Sequence, residues 1–144
     1  MKNSNTEKRF MLNENQVIEA VINYLELNGG IIMKCSTTNQ QGDDIMAEKG
    51  SRKLSIEAKG ATSSKPNTNR YGKRFNPSQQ KSHVSRAFFK AASVINSGEN
   101  EAGIALPDTP EHKTLIREIE TVLKRLNIHT FWVKHNWMVQ TTFR

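Results

Sequence analysis

The chain has 144 residues, a net charge of +7, 35% hydrophobic and 24% charged residues, and one cysteine. That length predicts one domain with a single sizeable core. No apolar run approaches a membrane span, no secretory hydrophobic region follows Met1, and the lone Cys35 excludes an internal disulfide or a cysteine-cluster zinc site, so a cytoplasmic protein is the expectation.

Residues 1–12 are polar and basic without a clear period, which predicts a loose arm ahead of a single domain over 13–144. Asn13-Glu14-Asn15-Gln16 opens a helix with Asn13 as N-cap; Val17, Ile18, Val21, Ile22 and Leu25 share one face, Glu19 lies on the flank, and Asn28-Gly29-Gly30 ends it. Ile31 to Cys35 predicts a strand, with Cys35 as core filler, and Ser36 to Gln41 a polar connection. Asp44 to Ala58 predicts a β-hairpin that turns at Lys49 to Arg52 around Gly50; in its second strand Leu54, Ile56 and Ala58 face one way, and Ser55, Glu57 and Lys59 the other.

Thr62 to Pro77 mixes Ser, Asn, Pro and Gly with basic residues and predicts a mobile loop, in which Tyr71 and Phe75 either stack on bases or, for Phe75, anchor the loop to the core. A helix follows over Ser78 to Asn96, with Val84, Ala87, Phe88, Ala91 and Ile95 buried and with Gln79 and His83 on another edge. Ala102 to Leu106 is a continuous apolar strand suited to the middle of a sheet. Pro110 to Leu126 predicts a third helix with Leu115, Ile116, Ile119, Val122, Leu123 and Leu126 inward; Thr130 to Val133 is a strand, and Trp137 to Val139 adds an edge strand. The class is α/β, a mixed central sheet flanked by helices.

A hairpin with a short turn brings the start of its first strand beside the end of its second, so Asp44 lies near Glu57, with Lys59 on the same face. Two close carboxylates repel unless a cation joins them or one takes a proton. A hard divalent cation with oxygen ligands is the simplest resolution, and Mg²⁺ suits few carboxylates and several waters. Asp44 followed by Glu57-Ala58-Lys59 resembles the D…(D/E)-x-K signature of the PD-(D/E)XK nuclease superfamily, with Asp43 where the name has Pro. Asp108 with Glu111-His112-Lys113 spells the same letters, but Thr109-Pro110-Glu111 reads as the cap and first turn of a helix.

The resemblance implies a restriction-endonuclease-like αβββαβ core, shared with Holliday-junction resolvases, and a metal-dependent endonuclease that hydrolyses phosphodiester bonds in DNA with a metal-activated water. It implies Asp44, Glu57 and the Ala58 carbonyl as ligands to Mg²⁺, or Mn²⁺, and Lys59 as the residue that orients the water or stabilises phosphate charge. It also implies an acid from the first helix, Glu19 or, one turn earlier, Glu14, and a Gln at the start of the next helix, Gln79 or its neighbour Gln80.

No Asp or Glu occurs between Glu57 and Glu99, while Lys59, Lys65, Arg70, Lys73, Arg74, Lys81, Arg86 and Lys90 do. A one-signed stretch directly after a carboxylate pair points to a polyanion, which makes Lys65, Arg70, Tyr71, Lys73, Arg74, Lys81, His83 and Arg86 candidate nucleic-acid contacts. His83 is either a phosphate contact or a satisfied helix-face histidine. DNA is the expected partner, RNA remains open, and a chain of this size often works as a homodimer. The competing expectation is a non-catalytic nucleic-acid-binding protein that keeps the fold. The chain contains no H-x-x-x-H, Walker glycine loop or G-x-S-x-G, which argues against a zinc hydrolase, a nucleotide triphosphatase and a serine esterase.

Overall fold

The computed structural model describes residues 11–35, 43–69 and 71–144. The predicted arm over residues 1–10, the Ser36 to Gln41 connection and the predicted contact Arg70 lie outside the described residues. Among the described residues four helices and six strands follow in the order α1 (Glu14–Leu27), β1 (Ile31–Cys35), β2 (Ile45–Lys49), β3 (Arg52–Ala58), α2 (Pro77–Ser97), β4 (Glu101–Pro107), α3 (Pro110–Arg117), α4 (Glu120–Arg125), β5 (His129–Val133) and β6 (Val139–Thr141). The strands form one mixed sheet in sequence order; β3, β4 and β5 run parallel, and the remaining neighbours pair antiparallel.

Each sheet face carries its own apolar core because side chains alternate along every strand. Val17, Ile18, Val21 and Leu25 of α1 pack on Ile45, Ala47, Leu54, Ile56, Ala105 and Phe131. On the other face, Val84, Ala87 and Ala91 of α2, with Ile116 and Leu123 of α3 and α4, pack on Ala102, Ile104 and Leu106. The predicted central strand is central: β4 is buried from Ala102 to Pro107 and paired on both sides.

The hairpin has the predicted form. Ile45 pairs with Ile56 and Lys49 with Arg52, which leaves Gly50 and Ser51 as a two-residue turn. Gly50 sits at φ 62°, the left-handed region that suits glycine at the first turn position. Asn13 caps α1 through a reciprocal capping box with Gln16, each side chain accepting from the other's backbone N–H at 2.9 Å.

Four expectations are corrected. Leu12, assigned to the arm, is buried in the α1 core. Cys35 is exposed because β1 is an edge strand that α1 covers poorly, and Ile31 and Met33 are also open. The third helix is two: Ile119 leaves helical dihedrals at φ −122°, ψ 10°, which changes the phase of the stripe and turns Val122 and Leu126 outward. The edge strand begins at Val139, because Trp137 adopts a left-handed turn conformation, φ 71°, and its N–H donates to the Lys134 carbonyl. In the segment predicted as a loop, Phe75 N–H donates to the Ala61 carbonyl at 2.9 Å, Thr62 Oγ1 donates to the Lys73 carbonyl at 2.6 Å, and Thr62 bridges both Asn13 and Arg74.

Candidate metal and phosphate site at the end of β3

The hairpin register fixes the first two residues of the site. Asp44 precedes the Ile45–Ile56 pair and therefore meets the far end of β3, where its Oδ2 accepts the Ala58 backbone N–H at 2.8 Å. Asp44 and Glu57 stand within hydrogen-bond reach of each other. Lys59 Nζ lies 3.6 Å from Glu57 Oε1, both side chains about five-sixths buried (17% and 16% exposed). The second Glu57 oxygen, Oε2, is sealed from solvent without a hydrogen-bond partner. Leaving a buried carboxylate oxygen unpaired is costly, so this atom marks a place that suits a cation.

A third carboxylate arrives from α1. After Lys59 the chain crosses directly over the start of that helix: Ala61 N–H donates to the Leu12 carbonyl at 2.7 Å, and a Cβ placed on Gly60 would stand 2.4 Å from the Glu14 nitrogen. Only glycine permits so close a backbone crossing. The crossing sets the first turn of α1 against the end of β3 and brings Glu14 into the field of Asp44, Lys59 and Lys65. Burial, then the Asp44 charge, pushes the Glu14 carboxyl up to about 7. Burial and the charge of Asp44, followed by Glu14, push Glu57 up as well. Asp44 is raised by burial, against the lowering effect of the Ala58 N–H and Lys59. Three acids driven towards their neutral forms by burial, two of them also by the Asp44 charge, would gain from a divalent charge.

Glu19 is corrected by the same geometry. Five residues past Glu14 it is turned about 140° around the helix and is exposed. Glu14, the fallback, is the α1 acid that faces the site. The sequence signal for it was its place in the first turn beside the N-cap.

Gln79 is likewise committed elsewhere. Its Oε1 accepts the Asn76 N–H at 2.9 Å in the capping box of α2, while buried Gln80 donates its amide to the Phe75 carbonyl at 2.9 Å. Both glutamines fasten the helix start and the loop that precedes it.

Beside the carboxylates lies an open cavity of about 280 Å³, lined by Glu14, Lys59, Thr62, Lys65, Phe75, His83 and Arg86 among others. Lys65, His83 and Arg86 of the predicted nucleic-acid contacts thus meet at the site. Tyr71, Lys73 and Lys81 are exposed outside this lining. Arg74 is drawn to Glu111, Nη1 to Oε1 2.8 Å. Phe75 takes the anchoring role, packing edge-on against His83 with ring centroids 4.6 Å apart. The Asp108–Glu111–Lys113 decoy is the helix start it resembled: Thr109 caps α3, and Lys113 pairs back to Asp108 at 3.6 Å. A second cavity of about 230 Å³, between α3, α4 and Trp132, contains none of the predicted site residues.

Among the described residues no group of three or more His, Cys, Asp or Glu side chains is arranged to hold a metal ion by itself. A cation here would need oxygens from the backbone and from water beyond the Asp44 and Glu57 carboxylates, the pattern that suits Mg²⁺. Among the described residues no helix is long and apolar enough to cross a membrane.

No family model and no curated protein matches the chain. A solved structure with some similarity is that of Pyrococcus furiosus SfsA in complex with Ca²⁺, aligned over 82% of this chain and 54% of that one at 17% identity and a TM-score of 0.38. This chain therefore spans about half of that protein, and at such distance the reading of the site rests on the chain's own residues.

Proposed function

We propose that the chain is a small Mg²⁺-dependent endonuclease of the PD-(D/E)XK type that hydrolyses phosphodiester bonds in DNA. One observation carries the reading: Asp44 and Glu57 meet beside Lys59, which lines a basic groove with Glu14, and Glu57 Oε2 is buried and unpartnered. The order of helix, strand, hairpin, helix, strand, with the hairpin's second strand parallel to β4, supports the restriction-endonuclease-like αβββαβ core. Order alone would not carry a function. Its weight comes from placing the D…E-x-K residues at one strand end.

Asp44 and Glu57 would hold the cation, with the Ala58 carbonyl completing the protein's share and Glu14 supporting through water. When bound, such an ion lowers the pKa of water and offsets charge on a phosphate. The chain's own groups do the rest. Lys59 is held beside Glu57, so its ammonium is fixed where extra negative charge would develop on the phosphate. Lys65 and Arg86 line the same groove and would hold the neighbouring phosphates, which makes binding salt-dependent.

The test is to incubate the purified protein with supercoiled, linear, single-stranded and four-way-junction DNA in Mg²⁺, Mn²⁺ or chelator, beside Asp44→Asn and Lys59→Ala. Metal-dependent cleavage lost in both variants is the expected result. DNA binding with no cleavage of any substrate in any metal would replace the enzyme with a binding protein that keeps the fold.

A further inference from the structure

The cavity of about 230 Å³ lies where α3 and α4 leave part of the sheet open. Phe131 and Val133 of β5 point into the α1 core, so Thr130 and Trp132 point to the opposite face, beneath α3 and α4. Both are half-buried, and Thr142 beside them is exposed. Thr142 N–H donates to the Thr130 carbonyl at 3.2 Å, and Thr142 Oγ1 accepts the Thr130 N–H at 3.1 Å, which leaves its own O–H to donate. The floor is therefore an indole flanked by hydroxyls.

The helical wall is basic. Lys113 and Arg117 stand one turn apart on α3, Lys124 lies on α4, and among the described residues that line the cavity Glu120 is the one acid. Lys124 Nζ takes up Glu120 at 3.5 Å. Arg117 is exposed and, among the described residues, joins no ion pair. Lys113 Nζ lies 4.9 Å from the centroid of the Trp132 ring and 3.6 Å from Asp108 Oδ1. A mobile ammonium thus sits over the indole, where a packed apolar side chain would otherwise seal it.

We propose that this groove binds single-stranded nucleic acid, taking one unpaired base against Trp132 and the flanking phosphates on Arg117 and Lys113. An aromatic ring beside unneutralised cations is the pairing that single strands use, stacking for the base and charge for the backbone. The volume falls below the roughly 300 Å³ at which pockets for larger ligands begin, so it suits one base. A base within a duplex is stacked on both faces and cannot enter without being unpaired. An acidic peptide would use the cations but leave the indole without a matching group. The proposal stands apart from the nuclease reading, because none of these residues belongs to the carboxylate site. Joined to that reading, it would favour DNA with an unpaired segment over plain duplex.

The test uses tryptophan fluorescence of the full chain in chelator. Trp137→Phe leaves Trp132 as the sole tryptophan. A short oligothymidylate should quench Trp132 saturably, and a duplex or an abasic chain of the same length should not. Trp132→Leu, followed by fluorescence anisotropy of a labelled oligothymidylate, should weaken binding by about five- to hundredfold. Arg117→Gln should weaken the quenching and lower its salt slope by about 0.7. If Trp132→Leu fails to fold, the exposed Arg117→Gln decides. Trp132 emission unmoved by an oligonucleotide that anisotropy shows to be bound overturns the proposal and leaves the nuclease reading intact. Equal quenching by the abasic chain overturns the base contact, and equal quenching by a polyglutamate peptide would replace the strand with an acidic protein. Quenching of Trp132 in a protein that cleaves nothing would defeat the nuclease reading and support this one.

Discussion

Replacing Gly60 with Ala tests whether the site depends on the close crossing of α1 and β3. The added Cβ would stand 2.4 Å from Glu14 N, 2.6 Å from Asn13 C and 2.9 Å from Asn13 Cα. All three are backbone atoms, so no side chain can rotate away and one chain must move by most of an ångström. Forcing atoms into a packed contact typically costs about 1–3 kcal/mol, and a rigid backbone obstacle belongs at the top of that range. At about 3 kcal/mol the domain would still fold, with its melting temperature lowered by about 10 °C. The displaced element carries Glu14, so cleavage per folded molecule should fall on the order of a hundredfold, as misplaced catalytic groups do. Gly50→Ala is the control: Gly50 has φ +62° and no atom within 4 Å of its virtual Cβ. It should cost about 1–2 kcal/mol through the left-handed conformation alone and leave cleavage per folded molecule unchanged. Urea unfolding and a plasmid-cleavage assay on the same preparations read both quantities. Wild-type stability and activity in Gly60→Ala, or an equal loss of activity in Gly50→Ala, would refute the reasoning.

Asp44→Asn keeps an oxygen for the Ala58 N–H while removing one charge from the crowded acids. It should abolish metal-dependent cleavage yet raise the metal-free melting temperature near pH 8. Glu14 is raised from 4.5 to about 7, so the native state binds the extra proton between those values; metal-free stability should be highest below pH 4.5 as far as this group decides it and fall as pH rises through 7. Mg²⁺ should remove that decline in a thermal scan, and a flat metal-free profile over this window would contradict the crowding. Glu14→Gln should weaken Mg²⁺-dependent activity at least tenfold and Glu19→Gln should not, because only Glu14 faces the site. Away from the site, Glu101 accepts from Arg52 at 2.7 Å on each oxygen and lies 3.0 Å from His129 Nε2, interactions that hold its carboxyl down near 2. Glu101→Gln should destabilise the fold by about 1–2 kcal/mol above pH 5 in urea titrations, and the difference should shrink as pH falls towards 2.

Most of the architecture was legible because local signals and burial agreed. The alternation of Leu54, Ile56 and Ala58, the Asn13 cap, and the continuous apolar run of β4 each reported one environment. The misreadings arose where a tertiary fact decides. Cys35 looks like core in an apolar pentad, but an edge strand lacks a cover on its outer side. The apolar positions from Leu115 to Leu126 fit one helical period, and nothing local announces that Ile119 breaks it. In the site, Asp44, Glu57 and Lys59 could be placed from hairpin parity alone. The choice between Glu14 and Glu19 could not, because both are helix acids and only the crossing at Gly60 says which side of α1 meets β3. Gln79 was misassigned because a capping glutamine and a phosphate-facing glutamine occupy the same first turn.

The carboxylate cluster has a consequence for how the fold is maintained. Hairpin register, helix start and loop crossing come from separate stretches of chain, and each delivers one acid or fixes its neighbour. Bringing them together without a counter-charge opposes folding, since Asp44 raises the affinity of both Glu57 and Glu14 for protons and Glu14 adds to that of Glu57. The flanking ties are placed where they resist that repulsion: the Ala58 N–H holds Asp44, Lys59 holds Glu57, and Lys90 pairs with Asp43 at 3.3 Å. A binding module for a polyanion would gain from replacing these acids with neutral residues, because they repel phosphate beside a groove of lysine and arginine. Their presence in a buried group with an unpartnered oxygen is therefore better explained by a cation that would both stabilise the cluster and draw a phosphate towards it.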